Sequence, residues 1–168
     1  VEDVAVGTYY VSASRGSDAS SGTSANPWKT LSKAAASVPP GSKVITEAGT
    51  YAERVTISTL GTSTRRIVFE GDRSQGAVVV DAAGKANGFY VSSPSGYVSI
   101  IGFQVKNATA EGIKVLSCPG VEIRDCEISS CTKGIYLDDA SSAVVKNCKL
   151  TGNGTGLHTA SASDLLVS

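Results

Sequence analysis

The second half of the chain alternates apolar and polar residues in a pattern that repeats every 22 to 24 residues. Each repeat opens with Gly and a short apolar stretch, and these stretches begin at residues 88, 112, 134 and 156. Alternation with a period of two indicates β-strands, and a fixed repeat of this length indicates stacked units. Gly, Asn, Asp and Ser lie between the strands, where the chain must turn. The pattern therefore predicts an all-β solenoid, a single-stranded right-handed parallel β-helix of about seven coils.

Equivalent apolar residues of successive coils should stack inside the solenoid, because parallel strands lie about 4.8 Å apart. A second apolar stretch in each repeat forms a second ladder that stacks Cys126 over Cys148, with Phe103 above them. Its residues are Val98, Ile100, Phe103 and Val105, then Val121, Ile123, Cys126 and Ile128, then Ala143, Val145, Cys148 and Leu150. The two cysteines would lie within disulfide range, but parallel inward side chains seldom cross-link, so we expect free buried thiols. Spacings of 22, 24, 22 and 22 residues predict one inward column, formed by Ile67, Phe89, Ile113, Ile135 and Leu157.

A different pattern precedes the repeats. Asn26 is a good N-cap, Pro27 suits the first helical position, and a helix is predicted near residues 27–37. Its apolar face would comprise Trp28, Leu31, Ala35 and Val38. The open end of a β-helix exposes apolar side chains and unpaired strand edges, so we expect this helix to cap it.

The sequence is expected to form one domain, with a strand, a loop and the capping helix in residues 1–42 and β-helix coils in residues 43–168. After Gly156 the sequence supplies one apolar strand and part of a second, and no polar terminal unit or helix follows. We expect a fragment of a longer solenoid that ends in mid-coil. The alternative is self-association through the uncapped C-terminal coil, since head-to-tail contacts build filaments.

The composition of the chain argues against several classes of binding partner. Lys and Arg number 15, Asp and Glu number 15, and the formal net charge is zero, which gives no basic footprint for nucleic acid. No apolar run is long enough for a membrane-spanning helix, and the cysteines and histidine have no metal-site spacing. The chain is rich in small residues and has no Met, which favours an extracellular setting.

The N-terminal region resembles that of secreted pectate-lyase-like β-helix proteins, a superfamily of polysaccharide lyases, glycosidases and epimerases. The segments that carry the resemblance follow one order: Thr8-Tyr9-Tyr10-Val11-Ser12, Gly16-Ser17-Asp18, Gly22 to Leu31, Pro40-Gly41-Ser42-Lys43-Val44, Ala48-Gly49-Thr50-Tyr51 and Glu53-Arg54-Val55. The resemblance implies a secreted, carbohydrate-active β-helix protein. It also implies that acidic clusters bind calcium, which neutralises a uronate, while Lys or Arg removes a proton from the sugar.

Four residues between the inward positions should form an external column on successive coils: Tyr90, Lys114, Tyr136 and His158. Aromatic rings can stack on sugar faces and Lys can engage a carboxylate, so this column is the predicted polysaccharide-binding site. Asp138 belongs to the site and, with Asp139, is the candidate calcium pair. The alternative is that exposed strand positions favour such residues in any case, and that Asp is an ordinary bend residue.

Two functions remain open. The first is a secreted β-helix that binds or processes a polysaccharide, with a uronate-containing substrate and lyase-like chemistry as the more specific form. The second is a non-catalytic structural, adhesin or surface-layer module that assembles through its β-helix ends. No complete lyase or glycoside hydrolase set is visible in the sequence, so whether the protein is an enzyme is left undecided, and fold alone does not decide it.

Overall fold

The computed structural model describes residues 6–59, 61–92 and 96–168, and these fold into a parallel β-helix with three sheets. The first five residues of the predicted N-terminal unit lie outside this range. Sheet A contains β1 (Gly7–Val11), β2 (Ser42–Thr46), β5 (Ile67–Gly71), β8 (Val98–Ile101), β11 (Glu122–Arg124), β14 (Val144–Lys146) and β17 (Leu166–Val167). Sheet B contains β3 (Gly49–Tyr51), β6 (Val78–Asp81), β9 (Gln104–Lys106), β12 (Glu127–Ser129) and β15 (Lys149–Thr151). Sheet C contains β4 (Val55–Ile57), β7 (Asn87–Ser92), β10 (Glu111–Leu116), β13 (Lys133–Asp138) and β16 (Thr155–Ala160).

The solenoid has five full turns, so the expected number of about seven is too high. Sheet A has seven strands, but sheets B and C have five each. Length divided by period overestimates the coils because residues 12–41 form a loop and a helix between β1 and β2 and do not complete a turn.

The helix is shorter than predicted and begins later. It spans Leu31–Ser37, with Thr30 as N-cap, whose hydroxyl accepts a hydrogen bond from the Lys33 backbone N–H at 3.0 Å. Asn26 and Pro27 are therefore not its start. Trp28 instead pairs with Val11 at the edge of β1, because its backbone exchanges hydrogen bonds with Tyr10 and Ser12. The helix packs on β4 and β1 through Leu31, Ala34 and Ala35. No helix in the described ranges is long and apolar enough to cross a membrane.

The predicted inward column is correct at four positions and wrong at Ile67. Phe89, Ile113, Ile135 and Leu157 pair in register along sheet C. Ile67 is buried, but it lies in sheet A and pairs with Val98. The residue that pairs with Phe89 on the preceding strand of sheet C is Val55. The error arises because the coil from Val55 to Phe89 is 34 residues long, so a spacing of 22 there does not mark a full turn.

The bends between sheets repeat one backbone conformation in register. After β10, β13 and β16 of sheet C, a residue adopts a left-handed conformation: Ser117 at φ 47°, Asp139 at 49° and Ser161 at 51°. Asp and Asn tolerate this region better than most residues because their short polar side chains bond locally. The polar punctuation of the sequence is therefore a requirement of the bends.

Close packing requires the repeat glycine at Gly88, Gly112 and Gly134, whereas a Cβ on Gly156 would make only ordinary contacts, 3.5 Å from Leu150. A Cβ on Gly112 would lie 2.4 Å from Ile128 Cγ2 and 2.8 Å from the Gly134 carbonyl oxygen. Two consecutive residues of β10, Gly112 and Ile113, therefore face the core, which breaks the strict alternation of the strand. This extra inward residue leaves Glu111, at the start of β10, on the outer surface.

The second apolar ladder stacks as predicted. Ile123 pairs with Ile100 and Val145, and Ile128 pairs with Val105 and Leu150. All four cysteines are free thiols. Cys126 is fully buried, and a hydrogen bond with the Cys148 thiol together with burial raises the pKa of Cys126. Cys148 is only partly buried and packs against the core beside Cys126.

Ile135→Asp is expected to abolish the cooperative unfolding transition, since Ile135 is 0% exposed and its column offers a carboxylate no partner. Stability is typically only about 5–15 kcal/mol, which such a charge can exhaust. The matched control is Thr151→Asp, an exposed position of β15, which should shift stability by about 0.5 kcal/mol or less. Circular dichroism melts measure both, and an unchanged melt of Ile135→Asp would contradict the column.

Candidate functional site

The outer surface of sheet C carries three columns of side chains, set by the pairing of β7, β10, β13 and β16. The central column consists of Tyr90, Lys114, Tyr136 and His158. The edge column, where the strands begin, consists of Asn87, Glu111, Lys133 and Thr155. The far column consists of Ser92, Leu116, Asp138 and Ala160.

The central column was predicted from the sequence, and the registers confirm its geometry. Tyr136 lies at its centre: the Lys114 Nζ is 5.5 Å from its ring centroid, and the His158 ring is 5.3 Å away with a tilt of 35°. Tyr136 and Lys114 are half-buried, whereas His158 is exposed. The side chains therefore form one continuous surface of rings and cations. Their role in binding stays a prediction.

The edge column contains a charged cluster that the sequence analysis missed. The Glu111 Oε2 accepts a hydrogen bond from Asn87 Nδ2 at 2.9 Å and lies 3.8 Å from Lys114 Nζ. The other carboxylate oxygen, Oε1, lies 3.8 Å from Lys133 Nζ. The Lys133 Nζ also lies 4.4 Å from the Tyr136 ring centroid. Two lysines on neighbouring coils thus converge on one ring and share one carboxylate.

Arg54 extends the surface towards the first coil and was also missed. Its guanidinium lies 4.6 Å from the centroid of the Tyr90 ring, a cation–π distance. Each tyrosine of the central column therefore has a cation over its face.

The missed residues share a signal in the sequence. Asn87, Glu111, Lys133 and Thr155 each immediately precede a repeat glycine. Strict alternation would turn these residues inward, and the glycine's inward turn is the reason that they point outward. Arg54 carries no such signal, because its coil differs in length from those that follow.

Asp138 and Asp139 have different surroundings. The Tyr136 hydroxyl donates a hydrogen bond to Asp138 Oδ2 at 3.3 Å, so Asp138 belongs to the same surface as the central column. Asp139 is an exposed bend residue in the left-handed conformation. No three His, Cys, Asp or Glu side chains in the described ranges are grouped as a metal site would need. The calcium pair remains a prediction, for which Asp138 is the better-placed ligand.

A second polar region lies apart from sheet C. Ser14, Glu47, Ala48, Asp72 and Gln75 line a pocket of about 320 Å³ near the bend between sheets A and B. Glu47 is paired with Arg15, whose hydrogen bond to it lowers the pKa of the Glu47 carboxyl. Asp18 is likewise engaged, because it accepts bonds from Lys29 N, Thr30 N and the Thr30 hydroxyl. These carboxylates satisfy local partners, so the outer surface of sheet C is the better candidate site.

Asp138→Asn is expected to lower the pKa of the Tyr136 phenol. Desolvation by the neighbouring groups is the largest cause that raises the pKa of Tyr136, and the charge and hydrogen bond of Asp138 raise this pKa further. Removing the carboxylate charge therefore makes the phenolate less unfavourable. Titration of phenolate absorbance, with Tyr136→Phe subtracted to isolate this residue, measures the change. Asp139→Asn is the control, and an equal fall in both variants would show that Asp138 has no specific contact.

Comparison with known proteins assigns the chain to a family. The family model described as "Pel9A-like, right handed beta helix region" matches residues 9–164. The search of curated proteins found no match. The pectate lyase Pel9A superimposes with a TM-score of 0.77 at 22% identity, covering 90% of this chain and 41% of that one.

Two other solved structures share the fold. An alginate lyase from Paenibacillus sp. str. FPU-7 has a TM-score of 0.74 at 19% identity, with 98% of this chain and 59% of that one covered. A GH136 lacto-N-biosidase from Eubacterium ramulus has a TM-score of 0.75 at 15% identity, with 84% and 33% covered. The chain thus spans from a third to about three fifths of these structures' lengths, and such low identities show the fold alone. By the family match over residues 9–164, the chain belongs to the Pel9A-like right-handed β-helix regions.

Proposed function

We propose that this chain binds a polysaccharide along the outer surface of sheet C. The observation that carries the proposal is the central column, in which Tyr90, Lys114, Tyr136 and His158 follow one another on four successive coils. A ligand made of repeating units suits a surface made of repeating coils. Three solved structures with this fold are also named for acting on polysaccharides: a pectate lyase, a rhamnogalacturonan lyase and an alginate lyase.

The contacts on this surface suit sugars. Tyrosine side chains combine apolar ring carbons, which suit contact with sugar C–H groups, with a hydroxyl that suits hydrogen bonds to sugar hydroxyls. The Tyr136 ring is held by the Asp138 hydrogen bond at its hydroxyl and by Lys133 at its face. A ring fixed in this way loses little conformational freedom on binding.

The charges favour an acidic polysaccharide over a neutral one. Three cations, Arg54, Lys114 and Lys133, lie over the two tyrosines, whereas Glu111 and Asp138 supply the carboxylates. The lysine–carboxylate separations of 3.8 Å are ion-pair distances that are too long for hydrogen bonds, so the ammonium N–H donors remain available to a ligand. A uronate carboxylate would use those donors.

Binding is better supported than catalysis. Both lysines that face Tyr136 also form ion pairs with Glu111, an arrangement that suits fixed charges that bind a ligand. Lyase activity is the more specific part of the proposal, together with calcium binding at Asp138 and a secreted location. A non-catalytic module that binds the polymer without cleaving it is the second candidate.

The double variant Lys114→Ala/Tyr136→Ala is expected to lose polysaccharide affinity by about tenfold or more, because it removes the centre of the column. Affinity electrophoresis in polygalacturonate, alginate and neutral galactan gels provides the measurement, and circular dichroism should stay unchanged. The matched control is Gln104→Ala/Lys149→Ala, which removes an outward pair two coils apart on sheet B. Equal retention of wild type and the Lys114/Tyr136 variant would place binding elsewhere.

If the chain is a lyase, incubation with polygalacturonate or alginate and calcium should produce the ultraviolet absorbance of an unsaturated product. A calcium chelator should abolish the signal, and Asp138→Asn should reduce it. Folded protein that binds the polymer and generates no absorbance would eliminate the lyase form and leave the binding module.

A further inference from the structure

Glu111 occupies an unusual place for an outward-facing carboxylate. Glu111 is only 7% exposed, although it begins a strand on the solvent side of sheet C. It is enclosed by Asn87 on one coil, Lys114 on its own coil and Lys133 on the next. The carboxylate thus joins three consecutive coils.

The two lysines bring like charges to the same tyrosine ring. Lys114 and Lys133 both reach the Tyr136 ring, with Nζ atoms 5.5 and 4.4 Å from its centroid. Like charges converging on one ring oppose that arrangement, and long lysine side chains would gain entropy by moving into water. Glu111 offsets the repulsion, because one of its oxygens faces each ammonium group. Asn87 fixes the carboxylate through the 2.9 Å hydrogen bond.

We propose that Glu111 is a positioning residue: it holds the ammonium groups of Lys114 and Lys133 over Tyr136 and so presents them as one preorganised pair to the ligand. This inference rests on the proposed function for its ligand. It does not rest on it for its geometry, which can be tested without any polysaccharide.

The proposal makes a prediction of opposite sign to simple electrostatics. Glu111→Gln adds one unit of positive charge to the surface, so an effect of net charge alone would strengthen the binding of an acidic polymer. If Glu111 positions the lysines, the same variant weakens binding, because both side chains must then be ordered at the ligand's expense. We expect a loss of about tenfold for polygalacturonate.

The direct readout is nuclear magnetic resonance of the lysine side chains. Methylene protons next to an amino group above an aromatic ring are shifted upfield by the ring current. We expect upfield shifts for Lys114 and Lys133 in the wild type and their loss in Glu111→Gln, with Tyr136→Phe retaining them. The matched control is Glu70→Gln, which removes the same charge and an ion pair with Lys43 at 2.9 Å on sheet A. It should leave both lysine shifts and the affinity unchanged.

The outcomes separate the two proposals. Retained lysine shifts in Glu111→Gln, or equal or tighter polygalacturonate binding, would overturn the positioning role. Lost shifts together with wild-type protein that binds no polysaccharide would support positioning and overturn the proposed function. If Glu111→Gln fails to fold, Glu111→Asp decides by the same spectra: it keeps the charge but withdraws it by one methylene, and should move both lysine resonances towards their solvent values. Unmoved resonances in Glu111→Asp would contradict the inference.

Discussion

The hydrogen bonds between successive parallel coils determine which side chains of the described strands face the core and which face the surface. Each coil of sheet C pairs with the next without a shift in register, from β4 through β7, β10 and β13 to β16. Neighbouring coils are therefore about 4.8 Å apart, and each repeat position becomes a column. Inward columns become the core and outward columns become the surface. A slip of one residue would exchange them.

This constraint also links stability to the candidate site. Ile135 and Tyr136 are neighbours on β13, one fully buried in the core and one at the centre of the outer column. The strand cannot move Tyr136 without moving Ile135, so the packed core holds the site rigid. The flexible part of the site is confined to the long cationic side chains, which explains why a carboxylate that restrains two of them matters. Glu111 extends the order of the backbone to the tips of Lys114 and Lys133.

The sequence predicted most of what the repeat controls. The β-helix, the ladders and the Tyr90 to His158 column follow from spacing, since a fixed period translates directly into register. The prediction was wrong where the period breaks down. The long coil before Phe89 placed Ile67 in the wrong sheet, and the pairing of Trp28 with β1 displaced the helix start from Asn26 to Thr30. Glu111 and Lys133 were missed because alternation fails at the repeat glycine that follows each of them, where close packing, against Ile128 at Gly112 and against Leu150 at Gly134, adds an inward residue. Arg54 depends on a contact that no periodicity encodes.

The most direct test of this account is chemical-shift mapping of the folded chain with an acidic oligosaccharide, such as a short oligogalacturonate. The account predicts that the perturbed backbone amides lie in β7, β10, β13 and β16, and that the largest changes surround Lys114 and Tyr136. Amides of sheets A and B, which share the same core but present other side chains, should remain unperturbed. Perturbations centred on sheet A or sheet B, or none at saturating oligosaccharide, would contradict it.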